Sequence, residues 1–136
     1  MSQRNAWVKT LGALTVAVAA VLMWSAVASA GGALDGKTFA GETGEKGKAT
    51  GDAETFVFKD QTFDPLDCHK YGFSAAPYTS REDGIRIHFE AETKSAKEGS
   101  MRWKGVVQGE TVAGTMVWTK AGQAPIAYWF KGTLKK

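Results

Sequence analysis

The chain carries a single cysteine, Cys68, in 136 residues. No intramolecular disulfide can form, and a hydrophobic core must hold the fold alone. The same scarcity excludes a cysteine-built zinc cluster, which needs a second thiolate. There is no C-x-x-C-H haem attachment site and no H-E-x-x-H pair. With only His69 and His88 as imidazoles, no metal and no cofactor is expected. Charge of one sign is scarce as well. Of 17 Lys and Arg, only Arg4 and Lys9 fall in residues 1–30, which hold none of the 14 acidic residues, so residues 31–136 set 15 basic against 14 acidic groups, a net charge of +1. A near-neutral chain lacks the clustered positive surface that phosphate recognition requires, so no nucleic-acid partner is expected.

Long apolar runs are missing except at the start. Arg4 and Lys9 precede an apolar stretch from Leu11 to Trp24, followed by Ala28, Ser29 and Ala30. The stretch is shorter than the roughly 18 to 20 residues of a bilayer span, and its small-residue end satisfies the A-x-A rule for cleavage before Gly31. Residues 1–30 are therefore expected to be a signal peptide, with no membrane span after its removal. No cysteine ends the apolar segment, which argues against a lipoprotein. The product, residues 31–136, is a single domain of 106 residues, exported to a periplasm or secreted.

What is present beyond residue 30 has a period of two. Residues 37–40 read as a first edge strand, followed by a mobile loop through Gly44, Gly47 and Gly51. Phe56 and Phe58 share a face, and Asp60-Gln61 can turn the chain into Thr62 and Phe63. After the Asp83-Gly84 turn signal, Ile85, Ile87, Phe89 and Ala91 alternate with Arg86, His88, Glu90 and Glu92. Met101, Trp103, Gly105 and Val107 line one side of the next strand, then Val112, Gly114, Met116 and Trp118, then Ile126, Tyr128, Phe130, Gly132 and Leu134. No helical period competes.

Consecutive strands joined by short turns form an antiparallel meander whose apolar face must pack on a second layer or close on itself. Gly105, Gly114 and Gly132 lie on that face, two or four residues from Trp103, Trp118 and Phe130. Glycine kinks covered by aromatics are a means of curving sheets. The expectation is all-β: a small antiparallel up-and-down barrel of about seven or eight strands, with a two-sheet β-sandwich as the alternative.

Leu34-Asp35-Gly36-Lys37-Thr38-Phe39, Phe56-Val57-Phe58-Lys59-Asp60, Cys68 with Tyr71-Gly72-Phe73 and Tyr78, Ile87-His88-Phe89-Glu90-Ala91, Trp103-Lys104-Gly105 and Tyr128-Trp129-Phe130-Lys131-Gly132 follow in that order. In these patterns the chain resembles small exported bacterial proteins described as uncharacterised or lipocalin-like. The resemblance implies a lipocalin-like barrel and brings no catalytic residue.

Residues 64–83 are the least regular and the most chemically mixed. In a barrel such a segment gates the mouth or plugs it, and the candidate gate residues are Cys68, His69, Tyr71 and Tyr78. Cys68 and His69 are adjacent and point apart on an extended chain, so neither a thiol–imidazole pair nor a metal site is expected, and Cys68 reads as a buried, inert thiol. Glu90 and Glu92 face Arg102 and Lys104 across strands, which favours charge pairing over acid/base chemistry. No catalytic motif is found. The aromatic load points to a core and to a candidate cavity lined by Phe89, Met101, Trp103, Met116, Trp118, Tyr128 and Phe130. Trp129, on the opposite face, marks a partner surface or a covered edge. The expected function is non-enzymatic: binding of a small apolar or amphipathic molecule in that cavity. The alternative is a solid structural module that docks on an envelope protein through Trp129 or the edge near Phe39.

Overall fold

The computed structural model describes residues 29–30 and 32–136. Among the described residues nine strands run in chain order: β1 (Ser29–Ala30), β2 (Thr38–Glu45), β3 (Asp52–Lys59), β4 (Thr62–Pro65), β5 (Ala76–Asp83), β6 (Arg86–Ser95), β7 (Gly99–Gln108), β8 (Thr111–Thr119) and β9 (Ile126–Leu134). Each strand from β2 onward pairs antiparallel with the next, and β9 returns to pair with β2 from Phe39↔Leu134 to Glu45↔Tyr128. The result is a closed eight-stranded up-and-down barrel, the expected architecture, and the sandwich alternative falls. The short β1 lies on β5, Ser29 opposite Ser80 and Ala30 opposite Thr79. The remainder of the expected signal peptide lies outside the described residues.

Three sequence expectations change. β2 is not an edge strand, because β3 and β9 flank it on both sides and Phe39 is fully buried. It also runs on through Gly41 and Gly44, leaving only residues 46–51 as loop. Ile85 does not join the buried face: Asp83 pairs with Arg86, which places Ile85 in the turn, 77% exposed. Residues 64–83, expected to be irregular, contribute β4, a 3-10 helix at Leu66–Tyr71 and β5, so the helical turn arises where no helical period is visible.

The two ends of the barrel are built differently. At one end, two-residue turns join β3 to β4, β5 to β6 and β7 to β8. Gly84 and Gly109 supply the positive φ that two of these turns need, at 65° and 60°. In the third, Asp60 and Gln61 take φ of 52° and 63° without glycine's freedom. The Asp35 carboxylate holds this turn by accepting the Gln61 N–H on both oxygens, at 3.1 and 3.0 Å. Leu34 sits beside it, fully buried, and Tyr78 locks the segment. The Tyr78 hydroxyl accepts the N–H groups of Gly32 and Leu34 at 2.9 and 3.0 Å and donates to Asp35 at 2.8 Å. This end is sealed. At the other end the connections are longer, formed by residues 46–51, 66–75, 96–98 and 120–125.

Inside, alternate residues of β2 to β9 converge on one core with an aromatic cluster at its centre. Phe58 meets Phe89 edge-on at 4.9 Å, Phe63 lies 5.2 Å from Trp103, and Phe56 and Trp103 each lie 5.3 Å from Phe130. The Trp103 indole N–H donates to the Thr93 hydroxyl at 3.0 Å, so its one polar atom is satisfied in the core. Room for these rings comes from glycine. Gly105 and Gly114 face each other across β7 and β8, and a Cβ at either would lie 2.8 Å from the tip of Phe130. Two of the three expected glycines are thus covered by aromatics, by Phe89 and Phe130 and not by Trp103 and Trp118, whereas a Cβ at Gly132 would meet Ala40 backbone and Phe39 Cβ.

A Cβ at Gly105 meets ring atoms of Phe89 and Phe130, whereas one at Gly114 lies 2.1 Å from the Lys104 carbonyl oxygen and forces the backbone apart. Gly105→Ala is expected to cost about 1–3 kcal/mol, as overpacking does, and Gly114→Ala more. Denaturant unfolding of the two variants checks this, and unchanged midpoints would contradict it.

Candidate functional site

The open end holds a concavity of about 400 Å³. Its inner wall is Met101 of β7, Met116 and Trp118 of β8 and Tyr128 of β9, all inward-facing positions near the ends of their strands. Thr43 and Asp52, paired across β2 and β3, close one side. The other side is the 3-10 helix and its exit, with Cys68, Tyr71 and Phe73. Glu98, in the β6–β7 turn, stands at the rim. Its carbonyl accepts the Trp118 indole N–H at 2.6 Å and its carboxylate meets Lys120 Nζ at 2.9 Å.

The candidate cavity residues therefore fall into two groups. Met101, Met116, Trp118 and Tyr128 line the mouth, while Phe89, Trp103 and Phe130 lie in the packed cluster beneath it, where they fill space. The candidate gate divides too. Cys68 and Tyr71 border the mouth. His69 points outward, its Nε2 2.5 Å from Asp64 Oδ1. Tyr78 belongs to the sealed end, where its hydroxyl holds Leu34 and Asp35. His88 stands on the outer wall with Nε2 3.5 Å from Asp83 Oδ2. No group of three or more His, Cys, Asp or Glu able to hold a metal ion occurs among the described residues.

One residue of this end escapes a reading of the sequence by motif. Glu54 is only 4% exposed and points inward, in phase with Phe56 and Phe58 on β3. Its Oε2 accepts the Asp67 backbone N–H at 2.7 Å and its Oε1 accepts the Cys68 thiol at 3.5 Å. The carboxyl thus caps the first turn of the 3-10 helix and fixes Cys68 toward the mouth. Burial pushes the Glu54 carboxyl up to about 7, against the lowering effect of those two hydrogen bonds. Burial and the neighbouring Glu54 push the Cys68 thiol far above its ordinary range, which matches an inert thiol and not a nucleophile. The sequence signal of its inward position is its phase, two and four residues before Phe56 and Phe58.

The outer wall differs from the sequence expectation at Trp129. The indole is half-buried, lies over Gly44, its partner across β2 and β9, and donates to the Lys48 carbonyl at 2.9 Å. It straps the β2–β3 loop to the barrel, and because β9 is paired on both sides Trp129 covers no sheet edge. Glu90 and Glu92 stand opposite Lys104 and Arg102 as expected, and of the two only Glu92 forms an ion pair among the described residues, with Arg102 at 3.8 Å. A smaller outer hollow of about 290 Å³, flanked by Arg81, Glu90 and Lys104, marks where Gly105 and Gly114 thin the wall.

Glu54 binds its proton more tightly in the folded chain than in the unfolded one, where its value is 4.5. Its contribution to stability is complete below pH 4.5 and is lost as pH rises to about 7, a difference of about 3 kcal/mol. Glu54→Gln is expected to remove that part of the slope. Unfolding free energies of both proteins measured from pH 4 to 8 check this, and parallel curves would contradict it.

No protein-family model, curated protein or solved structure matches this chain.

Proposed function

We propose that this chain is an exported, non-enzymatic barrel protein of lipocalin-like kind that binds one small apolar or amphipathic molecule at its open mouth. The observation that carries the reading is the mouth itself: about 400 Å³ walled by two methionines and by Tyr71, Trp118 and Tyr128, on top of a core that is otherwise filled. Ligand sites of this size are concave and mostly apolar with a few placed polar groups. Methionine side chains adapt to ligand shape. The site sits in the mouth of a β-barrel, a preferred location for such sites, and its rim is built from the longer connections, including the 3-10 helix that Glu54 anchors. Export rests on Arg4 and Lys9, the apolar run Leu11–Trp24 and the Ala28-Ser29-Ala30 end. No helix among the described residues is long and apolar enough to cross a membrane. The reading assigns the chain no catalytic step and requires no cofactor.

The alternative, a solid module that docks on an envelope protein, loses two of its contact points: Phe39 is buried and Trp129 holds down a loop of its own chain.

Binding is tested with the neutral fluorophore N-phenyl-1-naphthylamine. Saturable one-to-one binding is expected, weakened about tenfold or more when Thr43→Trp fills the mouth, since tenfold is only 1.4 kcal/mol. No saturable binding, or equal binding by the Thr43→Trp variant, would overturn the reading in favour of the solid module.

A further inference from the structure

We propose that the molecule taken up at the mouth carries a positive charge: an amine or quaternary ammonium head on an apolar or aromatic body. The inference rests on the mouth-binding reading and adds the charge of the ligand. The charged side chains of the pocket wall are both carboxylates, Asp52 and Glu98, and neither lysine nor arginine lines it. Glu98 is already matched by Lys120 at 2.9 Å. Asp52 is different: it begins β3 at the mouth, exposed, with no ion-pair partner among the described residues.

The rings around it suit a cation as well. Trp118 and Tyr128 line the same space, and aromatic faces attract ammonium groups within about 6 Å of their centroids; the third ring, Tyr71, already has Lys70 Nζ 5.3 Å from its centroid. The local potential is visible in Tyr128, whose hydroxyl holds its proton above the ordinary range because of burial first and the Glu45 and Asp52 carboxylates next. An anionic ligand would meet Asp52 with no cationic side chain of the wall to receive it. A neutral one would leave that charge unused. A cation would place its head at Asp52 and its body against Met101, Met116 and Trp118.

Three probes with one naphthalene body separate the possibilities: 1-naphthylmethylamine, 1-naphthylmethanol and 1-naphthoate, titrated calorimetrically at pH 7 and low salt. The amine is expected to bind about tenfold more tightly than the alcohol, the size of one partly screened charge pair with Asp52, and the carboxylate least of all. Asp52→Asn is expected to bring the amine down to the alcohol's affinity while the alcohol is unchanged. Equal affinities, or preference for the carboxylate, would overturn the charge inference and leave mouth binding standing. Failure of all three to bind would overturn both.

Discussion

Everything in this barrel depends on the close approach of Phe130 to the wall made by Gly105 and Gly114. A closed eight-stranded barrel has an interior only wide enough for side chains to fill it. Here the fillers are Phe56, Phe58, Phe63, Phe89, Trp103 and Phe130, too bulky to share that volume with a further side chain from every strand. Two facing positions on adjacent strands are therefore left without side chains, and Phe130 projects over them. The packing so obtained replaces the disulfides that a chain with one cysteine cannot make.

The same interior explains why one end is sealed and the other open. At the sealed end the turns are as short as hairpins allow, and Leu34, Tyr78 and Asp35 form one unit of hydrophobic plug and hydrogen bonds. At the open end the inward positions turn polar or flexible: Thr43, Asp52, Glu54, Met101 and Met116 replace phenylalanine. A buried carboxyl is costly unless its hydrogen bonds are met. Glu54 meets them by capping the 3-10 helix and accepting the Cys68 thiol. The helix becomes part of the rim of a pocket instead of a lid pressed onto the core. Tyr71 and Phe73 then face that pocket.

Much of the architecture was legible in the sequence. Strict alternation marked β6 to β9, and glycines in phase with aromatics indicated closure. β4 and β5 were harder to read, because β4 has four residues and the inward positions of β5 are Ala76, Tyr78 and Ser80, which give a weak apolar period. The candidate cavity residues form one set in the sequence because Trp103 and Met101, or Phe130 and Tyr128, share a face. Height along the barrel axis follows from strand register and tilt, and periodicity carries neither. That is why Phe89, Trp103 and Phe130 belong to the core while Met101, Met116, Trp118 and Tyr128 border the mouth. Glu54 hides for a simpler reason: a carboxylate in phase with two phenylalanines points outward by residue type and inward only by period.

The central claim is that one molecule has a packed interior below and a receptive mouth above. NMR of methionine methyl and tryptophan indole signals, recorded while a neutral apolar probe is added, tests it most directly. The account predicts that the Met101 and Met116 methyls and the Trp118 indole shift together while the Trp103 indole stays in place. A shift of Trp103 equal to that of Trp118, or no shift at Met116 and Trp118 at saturating probe, would contradict it.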